Sequence, residues 1–215
     1  MSEIFNQLDF VENPQFERII SGLLKNSYAI EDAFFSEEEE AKLQHELWIK
    51  YHNNRFKKAA IGNKTNENIV KTIRGDFILW IDEAQANENE LLFFNKINSL
   101  ISYLNKTCFL GILQKEFHYA LYPEGTFYKR HLDTFQNDDR RKLSFVFYLN
   151  DKTWNPKNGG ELVLYLKKNN EEEMPLTVHP LPGRVVIFES QELEHEVKPV
   201  LKSQRLSITG WLKTR

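Results

Sequence analysis

The run His131-Leu132-Asp133, followed by His195 sixty-two residues after the aspartate and Arg205 ten further on, holds residue types suited to metal chemistry. Two imidazoles and one carboxylate can fill one face of an octahedral iron and leave three positions open, the ligand set of non-heme Fe(II) oxygenases. A downstream arginine can hold a dicarboxylate co-substrate as a bidentate pair. The tripeptide alone is weak evidence, because six His and eight Asp in 215 residues give about 0.2 H-x-D pairs by chance. Its setting strengthens it. His131 and Asp133 follow a Gly-containing segment, and they share a face if that segment stays extended. His195 comes just after GRVVIFES, in the expected turn before a last strand that opens near Arg205. His45, His52, His118 and His179 are expected to be ordinary surface or satisfied core histidines.

These residues need a scaffold, and period-two alternation describes one. In the last strand Arg205, Ser207, Thr209 and Trp211 share one face, while Leu206, Ile208 and Leu212 share the other. In 143–150, Ser144, Val146 and Tyr148 oppose Leu143, Phe145, Phe147 and Leu149. Each strand thus offers an apolar face for packing and a mixed face fit for a pocket, with Val146, Leu162 and Trp211 as walls. Further strands are expected at 77–81, 114–122, 161–166, 174–180, 184–189 and 205–212. The first half reads as helical. Residues 14–26 align Phe16, Ile19, Ile20, Leu23 and Leu24. A second helix starts after Ser36 with a Glu39 capping box and carries Leu43, Leu47 and Trp48 inward. A third covers about 88–105 with Leu91, Leu92, Phe94, Ile97, Leu100, Ile101 and Leu104. The polar stretch 52–72 is long for a connection and reads as either a mobile loop or a functional one. The expectation is one α+β domain over 1–215: helical support to about 110, then a sandwich or jelly roll.

Composition narrows the function classes. A net charge of −3 gives no global basic field, so no nucleic-acid partner is expected. One cysteine, Cys108, precludes an internal disulfide and suits a reducing compartment. The acidic N-terminus lacks a signal-peptide pattern, and no apolar run is long enough for a membrane span, so a cytoplasmic chain with no membrane partner is expected. A non-catalytic jelly-roll binding module is disfavoured, since a structural metal gains nothing from three open positions.

The segments YPEGTFYKRHLD, RRKLSFVFYLN, GGELVLYL, HEVKPV and RLSITGW together resemble the prolyl-hydroxylase branch of the 2-oxoglutarate/Fe(II) oxygenases. The likeness is to the hypoxia-inducible-factor prolyl hydroxylases and their short bacterial counterparts. IRGDFILWI resembles the strand entering that family's active-site loop, so the resemblance spans about 73–212. It implies a double-stranded β-helix braced by N-terminal helices. It also implies Fe(II) held by His131, Asp133 and His195, with 2-oxoglutarate and O₂ as co-substrates and ascorbate as reductant. Arg205 pairs with the distal carboxylate of 2-oxoglutarate in that scheme, helped by Tyr148, with Tyr122 and Thr209 close by. Arg74, Asp76, Arg141 and Tyr128 match positions around the loop and a peptide substrate, and Trp211 packs beside the iron. The implied partner is a proline-containing protein or peptide; a free amino acid or small metabolite is the alternative substrate of the same chemistry. A chain ending soon after its last strand, with no N-terminal zinc finger, fits the short bacterial form. Related nucleic-acid demethylases carry a second arginine six residues after the first, where this chain has Trp211.

Overall fold

Local capping fixes where the helices begin. Asn13 accepts hydrogen bonds from the Gln15 and Phe16 N–H groups, and Pro14 opens α1 (Pro14–Asn26). Ser36 and Glu39 form the anticipated capping box of α2 (Glu37–His52), whose first turn holds four glutamates against the positive end of the helix dipole. A second box, Asn87 with Glu90, starts α3 (Glu88–Cys108). The computed structural model describes residues 11–59, 73–134, 140–166 and 172–214. Of the expected loop 52–72, residues 60–72 lie outside the described residues. Its start is not loop throughout, since Lys57 and Lys58 pair with Phe77 and Ile78.

Eleven strands are present among the described residues: β1 (Tyr28–Glu31), β2 (Lys57–Lys58), β3 (Phe77–Ile81), β4 (Gln114–Tyr122), β5 (Tyr128–His131), β6 (Arg141–Tyr148), β7 (Leu162–Leu166), β8 (Met174–Val178), β9 (Val185–Glu189), β10 (Glu194–Val197) and β11 (Arg205–Lys213). They form a seven-stranded sheet in the order β1-β9-β6-β11-β4-β3-β2 and a four-stranded sheet in the order β5-β10-β7-β8. Every pairing within them is antiparallel.

The alternation predicted for β6 and β11 divides the interior. Leu143, Phe145, Phe147, Leu206, Ile208 and Leu212 point to the outer face of the large sheet, where they meet Ile19, Leu43, Leu47, Phe93 and Ile97 from the helices. The other face of that sheet looks toward the small sheet. There Val146, Tyr148, Val186 and Phe188 pack on Leu162, Leu164 and Val178, and Ala120 and Tyr122 pack on Val197 and Val200. Two helical positions depart from the expected stripes. Leu24, at the margin of its stripe in the last turn of α1, is exposed. Leu91 is exposed too, lying about 120° around α3 from Ile97 at the helical step; Phe93 and Tyr103 are buried instead. No helix among the described residues is long and apolar enough to cross a membrane.

Candidate active site

The two histidines meet through strand pairing. β5 runs antiparallel to β10 with His131 directly opposite His195, so the imidazole centroids lie 4.3 Å apart. His195 therefore sits within a strand rather than in the turn expected for it, and its other neighbour is Leu164 of β7. Asp133 follows two residues after His131 in the bend that ends β5. One carboxylate oxygen lies 3.6 Å from His131 Nε2 and the other 3.5 Å from His195 Nε2. Ligand atoms of the three residues all fall within 4.8 Å of one another. Two ligands at about 2.1 Å and near-perpendicular angles stand about 3 Å apart, so the set fits a first-row metal after small side-chain shifts.

Neighbours prepare each of these side chains. Nδ1 of His131 lies 2.7 Å from the Lys129 carbonyl, and Nδ1 of His195 lies 3.2 Å from the Leu193 carbonyl. A carbonyl only accepts, so each Nδ1 carries the proton and each Nε2 keeps its lone pair. Burial pushes the His195 pKa down to about 4, which keeps the ring neutral. Burial acts in the opposite sense on Asp133, but His195, a cation at the low pH where this carboxyl titrates, together with the neighbouring His131 ring and the Ser144 hydroxyl, outweighs it and holds the carboxyl well below its usual range. Ser144 donates to Asp133 Oδ2 at 2.7 Å and is itself 2.9 Å from the Ser190 hydroxyl. Arg141 bonds the Asp133 carbonyl at 3.1 Å and stacks 3.5 Å over the Trp211 ring.

Arg205 lies on the wall of the same cavity, which has a volume of about 690 Å³. Its guanidinium is buried and donates to the Gly160 carbonyl at 3.0 Å and to Ser207 Oγ at 3.2 Å. The rings of Tyr122 and Tyr148 flank it at 4.9 Å each. Gly160 has a left-handed φ of 77°, and a Cβ there would stand 3.2 Å from Arg205 Cδ. The turn thus needs glycine both for its backbone and for its distance from the arginine.

A family description, the 2OG-Fe(II) oxygenase superfamily, matches residues 117–213. The fold superposes with a TM-score of 0.82 on a prolyl-4-hydroxylase from Pseudomonas putida, at 35% identity over 94% of this chain and 100% of the other. The chain belongs to the 2OG-Fe(II) oxygenase superfamily. A prolyl hydroxylase of Trichoplax adhaerens, solved with a peptide of the hypoxia-inducible-factor oxygen degradation domain, aligns at 29% identity with a TM-score of 0.80, over 93% of this chain and 89% of that one. A PKHD-type hydroxylase from Prochlorococcus marinus (strain MIT 9312) is 28% identical over 168 residues, 69% of this chain and 72% of its own length. The two packed antiparallel sheets are the double-stranded β-helix of this family, and the chain is a prolyl-hydroxylase-like enzyme. Membership implies Fe(II), 2-oxoglutarate and O₂.

Ten of the twelve site residues singled out in the sequence line the one cavity: Arg74, Tyr122, Tyr128, His131, Asp133, Arg141, His195, Arg205, Thr209 and Trp211. The two others stand behind it. Asp76 is buried and holds Arg74 in a bidentate pair at 2.8 and 2.6 Å. That pairing seats the Arg74 guanidinium 4.3 Å from the Tyr128 ring centroid, and Tyr128 in turn stacks on His131 at 3.7 Å. Tyr148 is fully buried beside Arg205, its hydroxyl without a partner among the described residues. Three features escaped the sequence reading. Ser144 on β6 and Ser190 just after β9 brace Asp133, yet an isolated serine carries no signal of such a role. Arg55, Lys57 and Lys58 also line the cavity, brought there by β2. His118, expected to be an ordinary histidine, is a buried wall residue, and only its place on the alternating β4 face with Ala120 and Tyr122 could have revealed it.

Proposed function

We propose that the protein is an Fe(II)- and 2-oxoglutarate-dependent dioxygenase that hydroxylates a prolyl residue of a protein or peptide in the cytoplasm, with succinate and carbon dioxide as co-products and ascorbate as reductant. The observation that carries this reading is one cavity holding both the His131–Asp133–His195 cluster and the buried Arg205. His131, Asp133 and His195 would hold the iron, which with 2-oxoglutarate supplies the oxidising chemistry.

The rest is the work of this chain's own residues. Two neutral imidazoles and one carboxylate leave a divalent ion with a single residual positive charge, which favours a chelating anion on the open face. Arg205 places the complementary charge in the same cavity, where low local dielectric strengthens a carboxylate pair. The Tyr148 ring flanks that guanidinium, and its hydroxyl, without a partner among the described residues, would join Arg205 in holding the same carboxylate, with Tyr122 and Thr209 lining the approach. Arg74, seated by Asp76 and stacked on Tyr128, fixes the wall behind His131. Arg141 ties the Asp133 backbone to the Trp211 ring, so a substrate resting on that indole is registered against the metal site. Apolar Val146, Leu162 and Phe188 keep the floor dry. Similarity to two prolyl hydroxylases, one bound to a peptide, supports a peptidyl substrate. We assign the whole of 1–215 to one catalytic domain, with helical support to about 110 and the jelly-roll core beyond.

The test is succinate formation from 2-oxoglutarate under air with Fe(II) and ascorbate, with and without proline-containing peptides. Wild-type turnover should rise with peptide and collapse in Arg205→Ala. Failure to bind either the metal or 2-oxoglutarate would sink the reading. Stimulation by free proline but by no peptide would shift it to a small-molecule substrate.

A further inference from the structure

The cavity opens beside β2, and that side is cationic. Arg55 and Lys57 alternate with Phe56, whose ring turns to the helical side and meets Tyr51 at 5.5 Å and Tyr119 at 6.4 Å. The two cations are left on the face that lines the cavity, where Lys57 is in register with Ile78 of β3, and Ile78 with Ala120 of β4. Both are exposed, as is Lys58 next to them. Trp80, two residues along β3 from Ile78, lines the same cavity with its indole 51% exposed. Among the described lining residues, Arg55, Lys57, Lys58, Arg74, Arg141 and Arg205 stand against a single acid, Asp133.

Three of those cations are engaged: Arg74 by Asp76, Arg141 by the Asp133 carbonyl and the Trp211 ring, and Arg205 by Gly160 and Ser207. The side chains of Arg55, Lys57 and Lys58 have no hydrogen bond or ion pair among the described residues. Elsewhere on this chain of net charge −3, exposed lysines rest against glutamates, as Lys42 does with Glu38, Lys152 with Glu37 and Lys198 with Glu196. Like charges gathered without counter-ions repel one another, and an anion arriving from outside relieves them. Distance says which anion. The His131–Asp133–His195 cluster meets the large sheet at β6, through Ser144, and β2 lies four strands along in the order β6-β11-β4-β3-β2. At about 4.8 Å per strand the path is at most ~19 Å, the reach of about six residues of extended chain. A small substrate held at the metal does not span it, whereas the flank of a bound peptide crosses Trp80 and arrives at Arg55 and Lys57.

Resting on the prolyl reading above, we propose that Arg55 and Lys57 form a rim that pairs with an acidic residue on one flank of the peptide, about three to six residues from the oxidised prolyl, so that the substrate is an acidic segment of a protein. The experiment gives the enzyme, with Fe(II) and 2-oxoglutarate, a library of peptides with one central proline and randomised flanks, and reads by mass spectrometry which sequences gain an oxygen. Wild-type products should be enriched about two- to fivefold in Asp and Glu on one flank, the range of an exposed ion pair, and the enrichment should fade at high salt. In Arg55→Glu and Lys57→Glu the same positions should turn to Lys and Arg. Lys25→Glu, an equal charge change on α1, which packs on β1 at the opposite edge of the sheet, should leave the enrichment as it is. If the wild type shows no enrichment, or if it survives in both rim variants, the rim is overturned and the prolyl reading stands. In that case oligouridylate binding that both variants lose would assign the cations to a polynucleotide, and a raised KM for 2-oxoglutarate would make them a guide for the co-substrate. Loss of every product in both variants would give the two residues a structural role and overturn the rim as well. A wild type that oxidises no peptide of the library would remove the prolyl reading and the rim together.

Discussion

The Asp133 carboxylate must face a metal with one oxygen, and Ser144 occupies the other at 2.7 Å. Removing that hydroxyl frees the carboxylate to rotate and leaves the buried Ser190 hydroxyl short of its neighbour. Ser144→Ala should therefore weaken Fe(II) binding by about 10- to 100-fold, the usual effect of losing a group that orients a metal ligand. An Fe(II) titration of the folded variant checks this, and Ser144→Thr, which keeps the hydroxyl, should bind as the wild type does. Unchanged affinity in the alanine variant would mean that Asp133 is held by its backbone alone. Arg205→Lys should raise the KM for 2-oxoglutarate by about tenfold or more while leaving metal affinity alone, because an ammonium lacks the planar fork of donors. At this scale the sequence exposed residues whose types are rare and whose spacing is diagnostic, such as His131 and Asp133. It hid Ser144 and His118, because a serine on a strand and a histidine among six acquire meaning only from what lies across the sheet.

Elements were legible in proportion to their length and their apolar content. The three helices announced themselves through their apolar stripes, α2 also through its Ser36–Glu39 capping box, and strands β3, β4, β6, β7, β8, β9 and β11 through apolar alternation. Strands β1, β2, β5 and β10 have two to four residues each. The motifs YKRH and EHEV are too polar to signal burial, and their pairing is set by tertiary contact with β7 and with each other. These are the strands that bring His131 opposite His195, so the cluster was readable as a set of ligands but not as a cross-strand pair. The turn at Gly160 belongs to this scale as well. Gly160→Ala must hold a left-handed φ and move Arg205 Cδ and a Val200 methyl, each 3.2 Å from the new Cβ. It should destabilise the fold by about 1–3 kcal/mol and raise the KM for 2-oxoglutarate several-fold, with Fe(II) affinity unaltered. Denaturant unfolding and steady-state kinetics measure the two effects, and an unaltered KM would separate this turn from the arginine. In the helical layer, Phe93→Ala should cost about 3–5 kcal/mol, since its ring is buried against Phe35, Phe117 and Phe145.

For the molecule as a whole, building a cavity from buried neutral histidines makes stability depend on pH. The folded metal-free protein holds His118 near pKa 3 and His195 near 4, whereas both titrate at about 6.5 in the unfolded chain. Between those values the unfolded chain binds more protons, so stability is full above about 6.5 and is lost as pH falls toward the folded-state values. The depressed Asp133 adds in the same direction only lower, since its contribution is present above the ordinary carboxylate pKa and disappears as pH drops through its folded value. Each buried histidine costs up to about 1.4 kcal/mol per pH unit in this window, and about 1 kcal/mol moves the Tm of a chain this size by roughly 2–4 °C. The Tm of the metal-free protein should thus fall by several degrees or more from pH 7 to pH 5. In His118→Leu, which removes one of the two titrating rings, the slope should be about halved. Thermal melts of both proteins across that range decide the matter. A Tm independent of pH would mean that these rings reach water in the folded state, whereas a slope equal in both proteins would assign the whole effect to His195.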